Sequence, residues 1–168
     1  YLNSAGYKNL PYHAGLTDDK RKDHQSRFAR EEVDIIVATV AFGMGIDRSN
    51  IRFVIHAAMP QTIEQYQQEV GRAGRDGLPA YGYLFFSPID YKLRLRFCEE
   101  SGQKDVLVEK LNRIYHFCSS PQCRHKSVSE YFGQTYTHTP CRSCDYCLDE
   151  IQMVDDPLVT AQKILSCV

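Results

Sequence analysis

VDIIVAT, residues 33–39, is a dense apolar run of the kind that forms a strand buried on both faces of a sheet. The pattern repeats outward from it. Upstream, residues 7–12 are a short strand candidate leading into His13, Ala14 and Gly15. Thr17 then offers a helix N-cap, with Asp18 and Asp19 favourable against the positive end of the helix dipole. That helix should run to about Glu32, mostly charged, with Phe28 and Ala29 as its apolar anchors. Downstream, RFVIHA (52–57) and AYGYLFFS (80–87) are two further strands, separated by a helix over 62–75. Strand, helix, strand, loop, strand, helix, strand predicts an α/β layer with a mostly parallel sheet.

After Ser87 the strand candidates stop. Pro88 suits the first turn of a helix over 89–100, which carries Tyr91, Leu95 and Cys98. Ser101 and Gly102 break it, and 106–117 is a second amphipathic helix with Val106, Leu107, Leu111, Ile114 and Tyr115 on its stripe. A short helix over 125–132 stops at Gly133, and a polar loop follows. We place a boundary near 101, giving an α/β domain at 1–100, a small helical module at 101–150 and the opening of another element at 151–168.

With 168 residues, 43% hydrophobic and 24% charged, the composition is that of an ordinary globular chain. No apolar run approaches the roughly 18 residues a membrane helix needs, and no signal-peptide pattern opens the chain, so a membrane role is not expected. A formal net charge of -1 means that any nucleic-acid surface must be a local patch. Residues 1–6 resemble the end of a helix stopped by Gly6, and 157–168 the opening of one, so the chain is expected to be an internal fragment.

QEVGRAGRD (68–76) departs from helix chemistry by placing Gly71 and Gly74 in a helical context, each unfavourable by about 1 kcal/mol relative to alanine. If the helix continues, Gln68, Arg72 and Arg75 fall at i, i+4 and i+7 on one face. Two planar guanidiniums beside an amide suit the oxygens of a polyphosphate, and the glycines allow close backbone approach.

Seven cysteines are present, and Cys123, Cys141, Cys144 and Cys147 have metal-ligand spacing, C-x17-C-x2-C-x2-C. Three thiols within seven residues do not readily pair with one another, so a metal is expected rather than disulfides. Tetrahedral Zn2+ on four thiolates is the first reading. An iron–sulfur cluster is the rival, but its C-x2-C-x2-C pattern wants a cysteine where this chain has Ile151. Cys118, Cys98 and Cys167 are read as structural, and His125 and His138 as alternative ligands not needed by a four-thiolate site.

With these elements in order, the chain resembles the RecQ family of DNA helicases over essentially its whole length. YHAGL (12–16), VATVAFGMGIDRSNIRFVIH (37–56) and YQQEVGRAGRDGLPA (66–80) are similar to the motifs of that family's second RecA-like motor domain. CRHKSVSEYFG (123–133) with CRSCDYCLD (141–149) resembles its zinc-binding module, which often opens Cys-Arg-Arg where this chain has Cys123, Arg124 and His125. DDPLVTAQKILSCV (155–168) resembles the first helix of the winged-helix domain that follows.

The resemblance implies a RecA-like fold of the P-loop NTPase type: a mostly parallel sheet with helices on both faces, followed by the helical zinc module. It implies that Arg75, ahead of Arg72, reaches the γ-phosphate of ATP as an arginine finger, with Gln68 orienting the site. Gly43 and Gly45 would let the backbone approach the nucleotide, and Asp47 would contact its ribose. Thr39 and the backbone around His13 and Gly15 would face DNA phosphates. ATP and Mg2+ would be held mainly by a first motor domain, since nothing here matches G-x-x-x-x-G-K-[ST] or an acidic magnesium box.

The implied activity is ATP-dependent 3′-to-5′ unwinding in repair, recombination and replication, on single-stranded and forked duplex DNA, inside the cell, in the cytoplasm or nucleoid of a bacterium or the nucleus of a eukaryote. The fragment alone is expected to be inactive. Two rivals stay open: a non-enzymatic zinc-dependent nucleic-acid or protein-binding module, and a superfamily-2 RNA helicase or translocase.

Overall fold

Thr17 lies at φ -63°, ψ 155°, outside helical geometry, and its Oγ1 accepts the Lys20 amide, so α1 (Asp18–Ala29) starts where a capping hydroxyl and two acidic residues predict. The computed structural model describes residues 1–39, 48–151 and 156–166. Along them run β1 (Asn9–Tyr12), α1, β2 (Ile35–Ala38), β3 (Phe53–His56), α2 (Ile63–Val70), β4 (Tyr81–Leu84), α3 (Pro88–Glu99), α4 (Lys104–Ser119), α5 (Arg124–Tyr131) and α6 (Pro157–Ser166). They form two compact units, Tyr1–His56 with Gln68–Tyr83, and Ala57–Gln67 with Leu84–Val168.

In the first unit β1 and β2 pair in parallel, with Leu10 opposite Ile36. The crossover between them is α1, whose Phe28 joins Val33 in a small core completed by Leu10, Ile36 and Ile51. α1 is shorter than expected. It ends at Ala29, and Glu31 at φ 62° turns the chain back toward β2. Arg48 closes that turn: its Nη1 donates to the Phe28 and Val33 carbonyls, each at 3.1 Å, and its guanidinium lies 4.5 Å from the Phe28 ring centre.

The α/β reading holds, with two corrections to its detail. Among the described residues the strands pair two by two, β1 with β2 and β3 with β4, rather than in one continuous sheet. The strand over 33–39 is not buried on both faces either, since Val37 is 51% exposed. An apolar run reports what a strand could bury, and here one core under Val33 and Ile36 takes only part of it.

The second unit is helical. Ser87 accepts the Ile89 amide and Pro88 occupies the first turn, which starts α3. α3 and α4 pack around Met59, Ile63, Leu111, Ile114 and Phe117, with Tyr66, Tyr91, Leu95, Cys98, Val128 and Tyr131 against them. Several polar groups at this core are paired. Asp90 accepts the Met59 amide, Arg94 Nε donates to the Met59 carbonyl at 2.6 Å, and the Tyr91 hydroxyl donates to Asn112. Lys110 donates to Glu64 at 2.8 Å. Burial works against charge on Glu64, but hydrogen bonds from Lys110, the backbone, Tyr131 and Thr62 outweigh it and hold the carboxyl at about 2. No helix of the described residues is long and apolar enough to cross a membrane.

Candidate functional site

The segment bearing the two arginines is a turn, not a helix. α2 ends at Val70, so Gln68 sits exposed in its last turn while Arg72 and Arg75 lie beyond it, and the expected shared helix face is not formed. The cause is tertiary. Gly74 adopts φ +67° and donates its amide to the Ile51 carbonyl at 2.9 Å, a partner no helical amide there could reach. A Cβ at Gly74 would come within 3.1 Å of both the Ala80 Cβ and the Leu78 carbonyl oxygen. Gly77, at φ +78°, turns the chain again.

Both ends of this turn are held by side-chain pairs flanking or ending β3. Before it, Glu69 Oε2 lies 2.7 Å from Nε2 of His56, which is only 8% exposed. After it, Arg52 Nη2 lies 2.6 Å from both oxygens of Asp76. The hydrogen bond from Arg52 keeps the Asp76 carboxyl below the usual carboxylate range. Between these anchors, Arg72 is half-buried, with no hydrogen-bond partner for its buried Nε among the described residues, and Arg75 is exposed. A pinned turn carrying two guanidiniums is suited to an anion with several oxygens.

Thr39, His13 and Gly15 come together at the carboxyl ends of β1 and β2, where parallel α/β layers place their ligands. The Thr39 amide donates to the Tyr12 carbonyl at 3.1 Å, and the Gly15 amide donates to His13 Nδ1 at 3.2 Å. Gly43, Gly45 and Asp47 lie outside the described residues.

The four cysteines with ligand spacing converge in the second unit. The sulfurs of Cys123, Cys141, Cys144 and Cys147 all lie within 4.8 Å of one another. Four thiolates at a metal–sulfur distance of about 2.3 Å stand about 3.8 Å apart, so the donor set fits tetrahedral zinc with a small contraction. Cys123 is the N-cap residue of α5 and, like Cys144, is buried, at 3% and 7% exposure. Burial opposes charge on Cys141, Cys144 and Cys147 alike. Hydrogen bonds from Ser143 and the neighbouring thiols outweigh it and lower the Cys141 thiol, whereas burial with the contacts among the thiols raises Cys144 and pushes Cys147 up to about 12.

His125 and His138 are exposed and stand outside this cluster. Cys98 and Cys118 pack against the hydrophobic core, and burial pushes Cys118 up to about 12, which fits a structural thiol. Cys167 lies outside the described residues.

The cysteine cluster has a brace that motif spacing does not reveal. Arg124 donates through Nε and Nη2 to Asp145, and through Nη1 to the Ser120 carbonyl at 3.0 Å and to the Phe117 carbonyl. Arg52 and Arg124 each find their carboxylate across a long stretch of chain. The only local signal is that each acid, Asp76 or Asp145, adjoins a residue already singled out.

Residues 1–77 match the family described as helicase conserved C-terminal domain, and residues 88–148 match the family described as RecQ zinc-binding. The "ATP-dependent DNA helicase RecQ" of Pasteurella multocida (strain Pm70) is 44% identical over 99% of this chain and 27% of its own length. The protein of the same description from Bacillus subtilis (strain 168) is 42% identical over 94% of this chain and 27% of its own. Among solved structures, domain 2 of the DEAD-box helicase Mss116p bound to an RNA duplex aligns with 58% of this chain and 38% of that chain, at 27% identity and a TM-score of 0.45. The chain thus spans about a quarter, 27%, of these curated relatives.

Proposed function

Because this chain belongs to the RecQ family of helicases, we propose that it forms the second motor domain, zinc module and first winged-helix segment of an ATP-dependent 3′-to-5′ DNA helicase. The observation that carries the proposal is one chain holding both a pinned two-arginine turn and a four-cysteine cluster. The assignment divides the chain at 1–100, 101–150 and 151–168.

ATP and Mg2+ would be held chiefly by a phosphate-binding loop on a partner motor domain. When ATP is bound there, Arg75, with Arg72 beside it, would place a fixed positive charge against the γ-phosphate and stabilise charge developing during hydrolysis. Gln68, exposed in the last turn of α2, would orient that site. Gly43, Gly45 and Asp47 would line the nucleotide.

Thr39, His13 and Gly15, at one edge of β1 and β2, would meet phosphates of single-stranded DNA, so that domain closure and opening shift the grip along the strand. Cys123, Cys141, Cys144 and Cys147 would hold Zn2+, which supplies a structural cross-link and no chemistry of its own. The protein would act on forked DNA in repair, recombination and replication, inside the cell.

Strand displacement by the purified full-length protein tests this. With ATP it should unwind a DNA duplex bearing a 3′ single-stranded tail and fail on the matched RNA duplex. Preferential unwinding of RNA, or no ATP-dependent unwinding of any duplex, would overturn the proposal. The 168-residue chain by itself should hydrolyse no ATP with or without DNA.

A further inference from the structure

Arg52 lies just before β3, and all three of its guanidinium nitrogens donate. Nε donates to the Asn50 carbonyl at 3.0 Å, Nη1 to the Pro79 carbonyl at 3.1 Å, and Nη2 meets both oxygens of Asp76 at 2.6 Å. Asp76 in turn accepts the Leu78 amide through Oδ1 at 3.1 Å. The backbone repeats the connection: the Gly74 amide donates to the Ile51 carbonyl, and the Tyr81 amide to the Arg52 carbonyl, each at 2.9 Å. One side chain therefore ties the lead-in to β3, the exit of the arginine turn and the approach to β4. Arg72 and Arg75 lie between this anchor and the Glu69–His56 pair at the other end.

We propose that Arg52, through Asp76, is a positioning residue that sets the geometry of the turn carrying Arg72 and Arg75. With all three of its guanidinium nitrogens donating within the protein, it acts through the turn. A fork with three bonded nitrogens is needed because the three acceptors point from different stretches of chain, which a lysine ammonium on a flexible stem cannot satisfy together. Displacement of a charge-stabilising group by about 1 Å can lower turnover by about 10²-fold without changing ground-state binding. The proposal rests on the nucleotide-facing assignment of Arg72 and Arg75.

The test uses the full-length protein with Arg52→Lys, Asp76→Asn, the double variant and Arg75→Ala. Amide hydrogen exchange across 71–78 reads the turn directly, and DNA-stimulated ATP hydrolysis reads kcat and KM separately. Arg52→Lys should speed exchange at the Gly74 and Leu78 amides by about tenfold or more while the rest of the chain keeps its protection. It should lower kcat by about 10- to 100-fold with KM for ATP changed less than about threefold. The double variant should be no worse than the more severe single one.

Unchanged exchange at 71–78 in a folded variant would overturn the proposal, as would losses that add in the double variant or a loss confined to KM. If Arg52→Lys does not fold, the isosteric Asp76→Asn carries the same readouts. Arg75→Ala separates the two ideas: full turnover in that variant removes the nucleotide-facing assignment, while the exchange data still judge whether Arg52 fixes the turn.

Discussion

Arg124 and Asp145 are joined by two parallel hydrogen bonds, Nε to Oδ1 at 2.8 Å and Nη2 to Oδ2 at 2.9 Å. Arg124 directly follows Cys123 and Asp145 directly follows Cys144, so the pair holds two ligand-bearing turns face to face. Burial disfavours charge on Asp145, and the bonds from Arg124 more than offset that and keep its carboxyl low. Arg124→Ala should weaken zinc binding by about 10- to 100-fold, as loss of a group orienting metal ligands does elsewhere. Competition with a chromophoric chelator measures it; wild-type affinity in the variant would mean that the metal alone orders these turns.

Purified protein should contain about one zinc per chain, and Cys144→Ser should lose it. Elemental analysis and visible absorption decide the matter together. Iron accompanied by a charge-transfer band would replace zinc with an iron–sulfur cluster.

In the full-length protein, Arg75→Ala should lower ATP turnover by about 10³-fold or more while nucleotide affinity stays near wild type. Single-turnover hydrolysis and fluorescent-nucleotide binding make the comparison. A loss below about tenfold would pass the finger role to Arg72 or remove it from this turn.

Glu64 predicts a defined pH response. Its folded carboxyl sits at about 2 against an ordinary 4.5, so its contribution is complete above 4.5 and disappears as pH falls through about 2. Glu64→Gln should therefore lower the melting temperature at neutral pH, with the gap to wild type closing as the solution is acidified below 4.5. Both partners are more than a third exposed, so the gap should also shrink in high salt. A constant gap across this range would show that the Lys110 pair is not its source.

Ile114 is fully buried at the centre of the helical core. Ile114→Ala should destabilise the chain by about 2–5 kcal/mol, from lost transfer energy and the cavity left behind. Denaturant unfolding of zinc-loaded protein reads it; a change below about 1 kcal/mol would mean that Phe117 and Leu111 collapse into the space.

What could be read in the sequence was local. Thr17 with Asp18 and Asp19, Pro88 at the first turn of α3, and the C-x2-C-x2-C run each carry their signal within a few residues, and the structure forms them as written. The arginine segment departs from its helical pattern because the conformation of Gly74 answers to the carbonyl of Ile51, which no window around Gly74 contains. Arg52 and Asp76 stand 24 residues apart, Arg124 and Asp145 stand 21, and neither pair has a spacing rule. Val37 showed the other limit: hydrophobicity marks a residue as fit for burial and leaves open whether a partner surface reaches it.

Cys123 both belongs to the thiol cluster and opens α5, while the far end of that helix sets Val128 and Tyr131 against Leu111 and its neighbours. Metal occupancy and core integrity are then not separate properties. By mass action, each tenfold rise in free zinc above the dissociation constant should add about 1.4 kcal/mol to the apparent stability of the helical unit. A melting curve of this protein is in that sense a reading of the free zinc in the tube, and two laboratories using different buffers would measure two different proteins.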